Sequence, residues 1–120
     1  MKITKSQLVQ ARARVSHRSG EMNSTEKAYA TELDKRQQVG EIAQYWFESI
    51  TFKLAADTRY TPDFIVQLSD GTFEAHEVKG FWRDDAKVKI KVAAAMFPFQ
   101  FVAVQVIPKK LGGGWKIQEF

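Results

Sequence analysis

The chain has 120 residues, 44% of them hydrophobic and 12% aromatic, enough for one domain around one core. It contains no cysteine, which excludes disulfides, thiolate–metal chemistry and a cysteine nucleophile. The formal net charge of +4 fits an anionic partner such as nucleic acid without requiring one, and no apolar run has the length of a signal or membrane-spanning segment, so a soluble cytoplasmic protein is expected.

Residues 1–22 are polar and basic, with Lys2, Lys5, Arg12, Arg14, His17 and Arg18 against Glu21. They read as a mobile or partly helical arm, either contacting phosphates or simply solvated. Asn23-Ser24-Thr25-Glu26 has the form of a capping box. The helix it opens is expected to run to about Val39 and stop at Gly40, with Tyr29, Ala30 and Leu33 on its apolar face. Glu26 falls on or beside that face, although closing the cap is a complete role in itself. Glu41 to Phe52 reads as strand, with a break near Glu48-Ser49, and Ala55 to Thr58 as a turn.

Tyr60 to Leu68 is rich in aromatic and β-branched residues and reads as a strand. Ser69-Asp70-Gly71 is turn chemistry, and Thr72 to Lys79 returns antiparallel. If the loop is those three residues, Leu68 faces Thr72 and, in the same register, Asp63 faces Glu77 on one side of the ladder. Lys79 shares that side by the two-residue period, and His76 points to the other, where packing or hydrogen bonding is its expected role. A second helix follows, with Asp84 as cap and Asp85 in its first turn, running through Ala86, Ile90, Ala93, Ala94 and Phe97 to Pro98. Lys87 and Lys91 lie on one side of it and Lys89 on another. Phe99 to Ile107 reads as a strand covered on both faces. A basic glycine-rich loop then leads to a last strand, Trp115 to Phe120. The order α-β-β-β-α-β-β implies an α/β domain over residues 23–120, a mixed sheet with helices on its faces.

Two carboxylates and a lysine on one face of a central hairpin suit a hard divalent cation such as Mg²⁺ or Mn²⁺. Asp63 and Glu77 supply oxygen ligands, the Val78 carbonyl a third, and Glu26 another from the helix. Lys79 beside them can orient a water or stabilise charge developing on a phosphate. This chemistry suits phosphodiester hydrolysis, and no serine sits in a nucleophile-elbow context. As surface charges the same three residues would be an ion pair of little energetic consequence.

Pro62-Asp63 followed by Glu77-Val78-Lys79, with Glu26 on the preceding helix, resembles the PD-(D/E)xK nuclease signature. The Tyr-x-Pro-Asp-Phe lead-in and the run HEVKGFWRDDAKVKIK resemble small bacteriophage nucleases near the endonuclease-I-type Holliday junction resolvases. The resemblance covers roughly Thr25 to Val106. It implies a restriction-endonuclease-like core and metal-dependent DNA endonuclease activity. Asp63 and Glu77 would be metal ligands, Lys79 would position or activate the attacking water, and Glu26 would be an accessory ligand. It also implies a homodimer acting on branched DNA in the host-cell cytoplasm. Arg59, Arg83, Lys87, Lys89 and Lys91 are candidate phosphate contacts, and Trp82 a candidate base-stacking residue. A nicking, mismatch or single-strand endonuclease, or a DNA-binding module without turnover, are the alternatives.

Overall fold

The computed structural model describes residues 13–15 and 84 in their backbone, and 20–80 and 85–120 in full. In chain order the elements are β1 (Ala13–Val15), α1 (Ser24–Gln38), β2 (Ile42–Phe47), β3 (Ile50–Ala55), β4 (Thr58–Tyr60), β5 (Phe64–Leu68), β6 (Phe73–Lys79), α2 (Asp84–Met96), β7 (Gln100–Val106), a 3₁₀ turn (Lys109–Leu111) and β8 (Trp115–Glu119). β2, β5, β6, β7 and β8 form a five-stranded sheet in that order, and β1, β3 and β4 a three-stranded sheet in the order β1-β3-β4. Among the described strands only the β6–β7 pair is parallel, joined across by α2. The protein is therefore α/β, with a mixed sheet and, among the described residues, two long helices.

α1 begins as its sequence demands. The Asn23 side chain accepts from the Glu26 N–H and the Glu26 carboxylate from the Asn23 N–H, both at 2.8 Å. The helix ends where Gly40 takes a φ of +82°, with open space around its Cα, so the glycine serves backbone conformation rather than close packing. Tyr29 and Leu33 bury one face of α1 against Ile42, Phe64, Val66, Val78, Val102 and Val104. On the opposite face of the sheet, Ile90 and Ala93 of α2 and Phe97 just beyond its end join Ile65, Phe73, Ala75 and Phe101, and the small sheet adds Ile50, Phe52 and Tyr60. β7 is thus covered on both sides, as its near-continuous apolar run demands.

The β5–β6 hairpin has the expected register. Leu68 N–H donates to the Thr72 carbonyl at 2.8 Å, and Phe64 pairs with His76 and Gln67 with Phe73. Asp70 holds the turn by accepting from the Thr72 N–H and hydroxyl at 2.9 and 2.6 Å, and Gly71 has a φ of +89°.

Two expected strands are each split, which turns the three expected between α1 and α2 into five. The break at Glu48-Ser49 sends β2 to the large sheet and β3 to the small one, through a positive φ of 49° at Glu48. Tyr60 to Leu68 is not one strand: Tyr60 ends β4 in the small sheet and Phe64 opens β5 in the large one. Pro62, which has no N–H to donate to a ladder, lies buried between them. Asp84 is the first residue of α2 rather than a cap outside it. Of the basic arm, Ala13–Val15 is extended and pairs with β3, while residues 1–12 and 16–19 lie outside the described residues. No described helix is long and apolar enough to cross a membrane.

Candidate active site

Asp63 sits in the link between the two sheets and is held from both ends. Its carbonyl accepts from the Glu48 N–H at 2.8 Å, and its Oδ2 accepts from the Val78 N–H at 2.7 Å. The second bond ties the acid directly to β6, beside Glu77. Glu77 is buried, with both oxygens engaged: Oε1 accepts from the Tyr60 hydroxyl at 2.8 Å, and Oε2 lies 3.0 Å from Lys79 Nζ. Glu26 approaches the same place from the first turn of α1, near enough to act on the Asp63 carboxyl while it closes its own cap. The capping and site readings of Glu26 thus describe one position.

The charges here are strained against one another. Burial, the Glu77 charge and Glu26 together push the Asp63 carboxyl up from 3.8 to about 8, against the pull of the Val78 N–H. Burial acts against the Lys79 ammonium, but Glu77, Asp63 and Glu26 outweigh it and hold its pKa above the ordinary lysine value. Lys79 is therefore a cation at neutral pH, able to donate to and attract negative charge but not to accept a proton. The Tyr60 hydroxyl, buried and facing Glu77, is raised well above its usual range and stays a hydrogen-bond donor.

Two hollows open here, sharing Lys79, Asp85 and Ala86 as a common wall. One, of about 370 Å³, is completed by Asn23, Thr25 and Glu26 from α1 and by Val78 and Gly80. The other, of about 270 Å³, is completed by Arg59, Tyr60, Thr61, Glu77 and Lys89. The structure thus brings Glu26, Asp63, Glu77, Val78 and Lys79 together, with Arg59 and Lys89 at one mouth. Lys87 and Lys91 line neither hollow, and Trp82 and Arg83 lie outside the described residues.

His76 faces the other side of the sheet. Its Nδ1 is 2.7 Å from the Tyr29 hydroxyl and its Nε2 3.0 Å from Glu74 Oε1. Burial lowers its pKa against the pull of Glu74, so the ring is neutral, and a proton on Nε2 satisfies both bonds.

Sequence reasoning missed two residues of the site. Tyr60 was placed only as strand, and nothing in its spacing from Glu77 marks a contact made between two different sheets. Asp85 was read only as a first-turn acid, because a helix start says nothing of the hollow it overlooks.

The oxygen donors at the site are the carboxylates of Asp63, Glu77 and Glu26 and the Val78 carbonyl. Among the described residues, no three His, Asp or Glu side chains are grouped so as to hold a metal by themselves. The donor set still fits a hard divalent cation. Such an ion takes one or two carboxylates and completes its shell with water and phosphate. No family model, curated protein or solved structure matches this chain.

Proposed function

We propose that the chain is a metal-dependent DNA endonuclease of the PD-(D/E)xK type, built on a restriction-endonuclease-like core. One observation carries the reading: Asp63 and Glu77 meet at the end of the β5–β6 hairpin, cross-tied through Val78, with Lys79 on Glu77 and Glu26 alongside. Asp63, Glu77 and the Val78 carbonyl would hold Mg²⁺ or Mn²⁺, with Glu26 accessory. When bound, the ion neutralises phosphate charge and makes water more acidic.

The chain's own residues do the rest. Lys79, protonated and half-buried, stabilises the extra negative charge that builds on the phosphate as it is attacked. Tyr60 fixes one oxygen of Glu77, so the carboxylate keeps its orientation while Lys79 turns to the substrate. The Val78 N–H fixes one oxygen of Asp63. The narrower form of the proposal, supported by the sequence resemblance, is a phage junction resolvase or related structure-selective nuclease, working as a homodimer on branched DNA in the host-cell cytoplasm.

The test is cleavage of a labelled four-way junction, linear duplex and single strand in Mg²⁺ or Mn²⁺. Wild type should cut, and Glu77→Ala should lose at least about 100-fold, since one ligand and the Lys79 partner go together. Paired symmetric cuts confined to the junction favour the dimeric resolvase, and cutting of the other substrates favours a nicking or single-strand enzyme. Wild-type rates in Glu77→Ala would sink the assignment. A second reading, a DNA-binding module without turnover, draws on the closure of Glu77 by Tyr60 and Lys79. Salt-sensitive DNA binding with no cutting in either metal would establish it.

A further inference from the structure

The two hollows that meet at Lys79 differ in charge. The α1-side hollow sets Glu26 and Asp85 against Lys79. The other shares Lys79 and Asp85 and has Glu77, paired with Lys79, where the first has Glu26, but it adds Arg59 and Lys89, so cations outnumber carboxylates there three to two. Among the described residues, neither Arg59 nor Lys89 forms an ion pair. They come from different elements, β4 and α2, and are brought together by a contact of Lys89 Nζ with the Arg59 carbonyl at 3.4 Å.

A second feature points the same way. The β3–β4 register sets Lys53 directly opposite Arg59. Like charges facing one another across a strand pair repel, and neither residue has a carboxylate to relieve it. Arg59 and Lys89, from two elements, therefore line one mouth of the site, with Lys53 next to Arg59 on β3. An anion there would offset their repulsion. At about 270 Å³ the hollow falls below the ~300–1,000 Å³ range of pockets that enclose drug-sized ligands, so it suits one small charged group rather than a base pair.

We propose that Arg59 and Lys89, with Lys53 behind them, form a phosphate subsite that holds a single backbone phosphate of the nucleic acid beside the one at Lys79. The identity of the ligand as nucleic acid rests on the nuclease reading; the affinity for phosphate does not. The subsite fixes the strand on one side of Lys79, because the hollow on the other side is acidic.

The whole chain is used with two probes. The first is inorganic phosphate at pH 7 without divalent metal, against chloride of equal ionic strength. Phosphate at several times its Kd should raise the Tm of wild type by roughly 3–6 °C. Glu77→Ala, which removes a carboxylate from the same hollow, should keep or enlarge that increment, and Arg59→Gln/Lys89→Gln should lose it. The second probe is a labelled DNA duplex in Ca²⁺, titrated across salt. Arg59→Gln should reduce the slope of log K against log salt by about 1, and the double variant by no more, because both side chains serve one phosphate. Equal Tm values in phosphate and chloride, an increment that survives in the double variant, or slope losses that add would each overturn the subsite. Wild-type cleavage by Glu77→Ala would instead remove the nuclease reading and leave the Tm result standing, so the two failures are distinct.

Discussion

At the scale of single residues, Asp63 sets the site's response to pH. Its pKa rises from 3.8 in the unfolded chain to about 8 in the fold, so the folded state binds its proton more tightly. The native protein then carries more bound proton than the unfolded chain between those values, and stability falls as pH rises from about 4 to about 8. Asp63→Asn keeps an oxygen for the Val78 N–H and removes the ionisation. In chelator, it should unfold at pH 8 with about 2 kcal/mol more stability than wild type, and lose the decline between pH 4 and 8. Denaturant melts across pH decide this; a variant with the wild-type slope would locate the titrating group elsewhere. A bound divalent ion reverses the sign, because it stabilises the ionised carboxylate. Mn²⁺ should raise the Tm of wild type at pH 8 and leave that of Asp63→Asn unchanged. Tyr60→Phe removes the hydroxyl from Glu77 Oε1 and leaves a buried carboxylate oxygen without its donor, a loss of about 1–3 kcal/mol.

At the scale of elements, the hairpin was legible and the sheets around it were not. Asp70 and Gly71 encode a three-residue loop, and that loop fixes which residues of β5 and β6 meet. The placing of Asp63 beside Glu77, just past the last ladder pair of Phe64 with His76, and the opposite facing of His76 follow from local chemistry. The α1 capping box was legible for the same reason, since its partners are three residues apart. The separation of β4 from β5 was not. Tyr60 and Phe64 are both large and aromatic, and only the packing of Phe52 beside Tyr60 shows that β4 belongs to another sheet. Asn23→Ala tests how far the legible part carries function. It should cost about 1 kcal/mol through the lost cap. If the cap also steadies Glu26, cleavage should fall further than the stability loss explains, with Glu26→Gln, which preserves the capping geometry, separating charge from position.

At the scale of the whole molecule, the sheet separates two cores that bear unequally on the site. Tyr29 and Leu33 of α1 fill one side, while Phe52 packs with Phe97, Phe99 and Phe101 at centroid distances of 4.8, 5.2 and 5.3 Å on the other. Phe52 is also the register partner of Tyr60, and Tyr60 holds Glu77. The small sheet is thus the support of a site carboxylate as well as a cover for the apolar face. Leu33→Ala and Phe52→Ala each remove a fully buried side chain, at about 2–5 and 3–5 kcal/mol respectively. Chosen at temperatures where both variants remain folded, they should differ in what they do to the site. Leu33→Ala should keep the Mn²⁺-dependent rise in Tm. Phe52→Ala should lose much of it, because β4 is released and with it the orientation of Glu77, and amide exchange in β3 and β4 should quicken before that in β6 and β7. Equal retention of the metal response in the two variants would show that β5 and β6 hold the carboxylates unaided and that the second sheet is only a cover.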